Sequence, residues 1–281
     1  MNVKSKVQFF FLILIALFSC NHQKEKLGYQ TTLDINKEYY VIYLAGQSNM
    51  AGLGNVSQLT DKTLPNNVSF FNYSTDTKLN SLPYNFGPEV GLAKKLNEKF
   101  PNLNFIFIKY AISGSSISEW LPNVESQIER NIDFGEIYLN FLKMSKSITD
   151  NYKTQNLAFI WMQGEADACY KNTSKSYETY LKSLIDRVRK DFNNDNLPFI
   201  FGKVNTEHKI FKFVPEIQQA QLHINSLITN TYLIDTDNLE KLNDNIHYST
   251  QGQLDLGKAF GTTVNELIIQ KTTDFIETNK D

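Results

Sequence analysis

From Glu38 onward the chain alternates short, almost wholly apolar runs with longer amphipathic stretches, and this pattern restricts the fold more than any other feature. Short runs rich in β-branched and aromatic residues and bounded by polar turns read as strands buried on both faces. They are Tyr39–Ala45, Phe105–Ala111, Ala158–Gln163, Phe199–Val204 and Tyr232–Asp235. Between the first two, residues 88–100 place Val90, Leu92, Ala93 and Leu96 at helical spacing and leave Lys94, Lys95 and Glu98 for solvent, with Pro88 suited to the first turn. Ile128–Tyr152, Ser174–Phe192, Pro215–Leu227 and Thr250–Ile269 repeat the helical pattern. Strands alternating with helices predict one three-layer α/β/α sandwich around a mostly parallel, five-stranded sheet.

Composition agrees with one globular core. The 281 residues carry 28 Lys and Arg against 30 Asp and Glu, a formal net charge of −2, which gives no basic surface for a nucleic acid. No internal repeat or low-complexity linker divides residues 38–281.

The first twenty residues stand apart. Lys4 and Lys6 precede the apolar run Phe9–Phe18, which ends at Ser19 and Cys20, the layout of a secretory signal. A membrane-crossing helix needs about 20 apolar residues, more than this run holds, and an uncleaved anchor is the alternative reading. Leu17-Phe18-Ser19-Cys20 resembles the bacterial lipoprotein box, which implies removal of residues 1–19, a lipid on Cys20, and a mature protein held outside the cytoplasm on a bacterial membrane, periplasmic or at the cell surface. The polar stretch up to Lys37 would then be a tether (residues 20–37). Cys169 is the one remaining cysteine, so no disulfide forms within the mature chain. It has no basic neighbour in sequence and reads as a small buried hydrophobe rather than a nucleophile.

In open parallel sheets ligands bind beyond the carboxyl ends of the strands, and here those ends carry the unusual residues. Ser48 follows the first strand between Gly46 and Gly52, a tight turn that would present its hydroxyl; capping the next helix is its plainer role. A serine needs a base, and the base an orienting group. Of the four histidines, His22 lies in the tether, His223 in an amphipathic helix, and His208 after the fourth strand. His247 follows the last strand with Asp244 three residues earlier, close enough for the carboxylate to hold the imidazole tautomer. Gly114 and the Gln163 amide end neighbouring strands, where donors to an oxyanion would belong. His and Cys nowhere cluster at metal-ligand spacing, and no Gly-rich phosphate loop is present.

Taken together, Gly46-Gln47-Ser48-Asn49-Met50-Ala51-Gly52, Tyr110-Ala111-x-Ser113-Gly114, Trp161-x-Gln163-Gly164-Glu165-x-Asp167 and Asp244-x-x-His247 resemble the sialate O-acetylesterase domain. That domain belongs to the SGNH hydrolase superfamily, of flavodoxin-like topology, and is similar to acetylxylan esterases of carbohydrate esterase family six. The resemblance implies Ser48 as nucleophile, His247 as base and then acid, and Asp244 as its orienting group. The Ser48 and Gly114 N–H groups and the Gln163 amide would bind the oxyanion, with Gln163 standing where the superfamily's name has Asn. Gln47, Asn49 and Glu165 belong to the pattern without being reactants; Glu165 is expected to accept hydrogen bonds from the nucleophile turn. Glu165 and Asp167 are too close on one loop to flank a scissile bond as a glycosidase pair. No cofactor is implied, and the expected partner is an acetylated sugar, with Tyr84, Phe86, Trp120 and Tyr170 as candidate sugar contacts. A lipase or thioesterase of the same superfamily, or a non-catalytic glycan-binding module on this scaffold, are the alternatives.

Overall fold

A computed structural model of the chain describes residues 33–73, 85–122, 124 and 136–278. The signal segment, Cys20, most of the tether and Tyr84 lie outside the described residues. Six parallel strands form one sheet: β1 (Glu38–Gly46), β2 (Val68–Asn72), β3 (Phe105–Ala111), β4 (Lys153–Met162), β5 (Phe199–Gly202) and β6 (Thr231–Ile234), in the order β2-β3-β1-β4-β5-β6. Five longer helices accompany them: α1 (Glu89–Lys99), α2 (Ile137–Thr149), α3 (Lys171–Asp191), α4 (Val214–Leu227) and α5 (Thr250–Thr278).

The alternation of side chains along a strand explains the three layers. On β1, Tyr39, Val41, Tyr43 and Ala45 join Phe141 of α2, Leu181 of α3 and Ile217 of α4 in one apolar cluster. Ile42 and Leu44 point the other way, into a cluster built with Leu92 and Leu96 of α1 and Phe260 and Val264 of α5. Each fully buried side chain of this size contributes about 1.5–3 kcal/mol, so both faces must be covered for the sheet to persist.

The sheet has six strands where five were expected. The additional one, β2, is an edge strand pairing only with β3, and its Val-Ser-Phe-Phe-Asn sequence breaks the apolar run that marks its neighbours. The predicted helix over 128–152 begins, among the described residues, at Ile137, and α5 continues to Thr278 rather than Ile269. No helix of the described residues is long and apolar enough to cross a membrane.

Helices α1 and α5 cross at glycine. A Cβ on Gly257 would lie 2.0 Å from the Pro88 carbonyl oxygen and 2.7 Å from the Leu92 nitrogen, both backbone atoms that cannot step aside. Alanine is the better helix former by about 1 kcal/mol, but forcing two packed helices apart costs about 1–3 kcal/mol. Gly257→Ala is therefore expected to lower the urea midpoint; an unchanged or raised midpoint would mean that the crossing relaxes freely.

Candidate active site

Because β1 lies between β3 and β4, loops that leave in opposite directions meet at its carboxyl end. Gly46 there has φ 147°, and a Cβ on it would stand 2.1 Å from the Met162 carbonyl of β4. The Gln47 N–H donates to that same carbonyl at 2.9 Å. One helical turn, Ser48–Ala51, follows and closes at Gly52, so the half-buried Ser48 is lifted off the sheet as the sequence led us to expect.

Across the cleft, the loop between β6 and α5 delivers the base. The His247 Nε2 lies 3.0 Å from the Ser48 hydroxyl, and its Nδ1 lies 2.7 Å from Asp244 Oδ2. Nδ1 beside a carboxylate is the protonated nitrogen, which leaves Nε2 to accept the serine proton. Asp244 Oδ1 accepts the N–H groups of Ile246 at 2.8 Å and His247 at 3.0 Å, so one side chain shapes the loop and orients the ring. Burial pulls the Asp244 carboxyl upward, but the hydrogen bonds from the His247 ring and the two backbone N–H groups outweigh it and hold the carboxyl below its ordinary range. His208 is not part of this arrangement; its Nδ1 accepts the Ile210 N–H, and His223 pairs with Glu178 on an exposed face.

Gly114, exposed and with φ 76°, lies on the loop after β3, whose Ile112 N–H donates to the Gly46 carbonyl and brings that loop beside the nucleophile turn. Gln163 departs from expectation. Its amide nitrogen donates to the Ser115 carbonyl at 3.0 Å and to Asp167 Oδ2 at 2.5 Å, which commits both N–H groups. The side chain is fully buried, and instead of presenting a free donor it braces the loop that carries Gly114. Asp167 completes the brace by accepting the Ile117 N–H at 3.0 Å. A glutamine at a strand end can turn its amide outward or inward, and the buried Asp167 carboxylate draws it inward.

The three supporting residues of the sequence pattern are all engaged. Gln47 Oε1 accepts from the Gly164 and Ala166 N–H groups at 3.3 and 3.2 Å. Asn49 Nδ2 donates to Glu165 Oε1 at 2.6 Å and to the Ile246 carbonyl at 3.1 Å, while its Oδ1 accepts the Tyr248 N–H at 3.1 Å. Asn49 thus clasps the backbone on both sides of His247 from within the nucleophile turn.

Glu165 is buried, and burial pushes its carboxyl above the ordinary 4.5 against the opposing hydrogen bond from Asn49. A carboxyl raised on folding binds its proton more tightly in the folded state, so stability falls as pH rises from about 4.5 through the folded value. Thermal unfolding against pH is expected to show that decline in the wild type and to lack it in Glu165→Gln; parallel curves would mean that Glu165 titrates as an ordinary surface acid.

One residue of this surround had little signal in the sequence. Thr206, from the loop after β5, donates its hydroxyl to the Asn245 carbonyl at 3.0 Å and steadies the Asp244–His247 turn. Only the fold brings that pair together. Of the candidate sugar contacts, Phe86 and Trp120 are fully buried core residues, whereas Tyr170 is 46% exposed. Cys169 is half-buried rather than buried, its thiol facing the Glu165 carbonyl at 3.7 Å. Among the described residues no group of His, Cys, Asp and Glu is arranged to hold a metal ion.

The assembled site can carry out acyl transfer: a hydroxyl, a base on it, and a carboxylate on the base. Comparison with known proteins points the same way. A probable carbohydrate esterase of Arabidopsis thaliana is 25% identical over 242 residues, spanning 77% of this chain and 86% of the relative. The crystal structure of an Arabidopsis thaliana protein superposes with a TM-score of 0.62 at 21% identity, over 80% of this chain and 97% of that one. A carbohydrate acetylesterase from Xanthomonas citri does so with a TM-score of 0.61 at 15% identity, over 81% of this chain and 56% of that one. The likeness to these structures is one of fold. The family profile described as carbohydrate esterase, sialic acid-specific acetylesterase matches residues 38–266, and the chain belongs to that family.

Proposed function

We propose that the protein removes acetyl groups from acetylated sugars through an acetyl-enzyme on Ser48. The observation that carries this reading is His247, hydrogen-bonded to Ser48 through one ring nitrogen and to Asp244 through the other. Ser48 Oγ attacks the acetyl carbonyl while its proton passes to His247 Nε2. The imidazolium, balanced by Asp244, then gives that proton to the departing sugar oxygen. Water repeats the attack with His247 again as base, and acetate leaves with Ser48 restored. The Ser48 backbone and the braced loop of Gly114 face the charge that develops on the carbonyl oxygen. None of these steps calls for a cofactor.

The substrate class is supported by the family, whose description names sialic acid, and by a relative described as a probable carbohydrate esterase. Acetate release from O-acetylated sialic acid and from acetylated xylan tests it. Release from either substrate is the expected result. Cleavage of an aryl acetate with both glycans left intact would move the assignment to another acetyl ester, and faster turnover of long acyl esters would favour a lipase or thioesterase. A folded protein inert toward every ester would be a glycan-binding module.

The lipoprotein-like Leu17-Phe18-Ser19-Cys20 supports an extracytoplasmic protein anchored through Cys20. Label from palmitate is expected on the purified wild-type protein and absent from purified Cys20→Ala; equal labelling of the two proteins would remove the anchor.

A further inference from the structure

Lys109 is the one charged residue in Phe-Ile-Phe-Ile-Lys-Tyr-Ala of β3, and it is almost completely buried. Its ammonium lies 2.9 Å from Glu89 Oε1, on the first turn of α1, and Glu89 is fully buried as well. The same ammonium donates to the Ala51 carbonyl at 3.0 Å. Ala51 ends the single helical turn that begins at Ser48, where carbonyl groups run out of partners within the turn. Glu89 Oε1 also accepts the Gly87 N–H at 3.0 Å, and Gly87 is pressed against the turn: a Cβ there would lie 2.5 Å from the Met50 carbonyl oxygen. The ring of Phe70, on edge strand β2, lies 5.5 Å from the ammonium.

A buried ion pair is weak evidence for stability, because apolar residues of similar volume replace such pairs with little loss or even a gain. This pair does more than neutralise itself, since the cation is spent on the backbone of the nucleophile turn. We propose that the Lys109–Glu89 pair is a positioning device for Ser48: the ammonium holds the Ala51 carbonyl, Glu89 holds the ammonium and the neighbouring Gly87, and together they fix the direction in which the turn presents its hydroxyl to His247. Neither residue touches the reacting atoms. The turn is then secured at its carbonyl end by Lys109 and at its other end by Gln47 and Asn49, and it cannot rock about one anchor. This inference rests on Ser48 being the nucleophile.

Changing one partner alone strands a buried charge and threatens the fold, so the informative variant changes both. In Lys109→Met/Glu89→Leu the fold is expected to survive, with a melting temperature within a few degrees of wild type. With 4-nitrophenyl acetate, kcat is expected to fall about tenfold while KM stays within about twofold, because the hydroxyl is mispointed and the substrate cleft unchanged. Inactivation by a fluorophosphonate, which reports on Ser48 directly, should slow by a similar factor. A folded double variant with wild-type kcat and inactivation rate would overturn the proposal. Should the double variant fail to fold, Glu89→Gln keeps a neutral acceptor for Gly87 and Lys109. Its unbalanced Lys109 ammonium lowers the melting temperature, so it is assayed below that temperature with circular dichroism verifying the fold; there it is expected to lose about threefold in kcat, and wild-type kcat would overturn the proposal equally. A wild type inert toward both reagents would instead overturn the hydrolase reading, and this proposal with it.

Discussion

Ser48→Ala is expected to abolish acetate release, with kcat falling at least about 10⁴-fold while the melting temperature stays close to wild type. No other hydroxyl is hydrogen-bonded to His247 Nε2 among the described residues. Removing the nucleophile of a serine hydrolase leaves only the acceleration that comes from binding and the oxyanion donors. Acetate assayed enzymatically, together with circular dichroism to verify folding, checks the result. Residual turnover above about one percent of wild type would require a different nucleophile or direct attack on the ester carbonyl by a water that His247 deprotonates.

Asp244→Asn is expected to lower kcat about 10²- to 10³-fold. The amide oxygen can continue to accept the Ile246 and His247 N–H groups, as Asp244 Oδ1 does. Its NH₂ then faces Nδ1, so the ring must carry its proton on Nε2 and meets Ser48 as a donor. The base is lost through the wrong tautomer. The opposite amide orientation saves the tautomer but faces two backbone donors with another donor. The side chain of Asp244 is 39% exposed, so water can compensate in part, and the loss should be smaller than for a buried counterpart. A reduction below about fivefold in steady-state kinetics would mean that the carboxylate does not govern the ring. Because the folded carboxyl sits below its ordinary 3.8, its contribution to stability is complete above that pH and disappears only as the pH falls through the lower folded value. Any loss of wild-type activity above about pH 5 belongs to another group.

Central strands were legible in the sequence because burial on both faces leaves an unbroken apolar run; β3 spans Phe105–Ala111 as read. β2 was not, since an edge position tolerates Ser69 and Asn72, and the pattern then resembles a loop. Ser48, Asp244 and His247 could be placed because each immediately follows a recognisable strand or shares one short loop, so local order in sequence reports on proximity. Gln163 could be placed but not oriented. An amide offers hydrogen-bond donors whichever way it points, and its direction is settled by Asp167 and by the Ser115 carbonyl, 48 residues away in the chain. Lys109 carried a signal that alternation alone does not interpret: a cation inside an apolar strand must have a partner, but which partner depends on α1 and the nucleophile turn converging over it.

The clasp between Asn49 and the backbone around His247 joins residues up to 199 positions apart. The serine leaves the ribosome 199 residues ahead of its base, so the chain grows through all of that length as an unarmed hydrolase. A polypeptide released after the nucleophile turn but before Ile246 has the serine and neither the base nor the backbone groups that Asn49 grips. Truncated products should therefore be inert toward esters in the cell, and hydrolytic competence should arise in one step as the last loop closes onto the first strand.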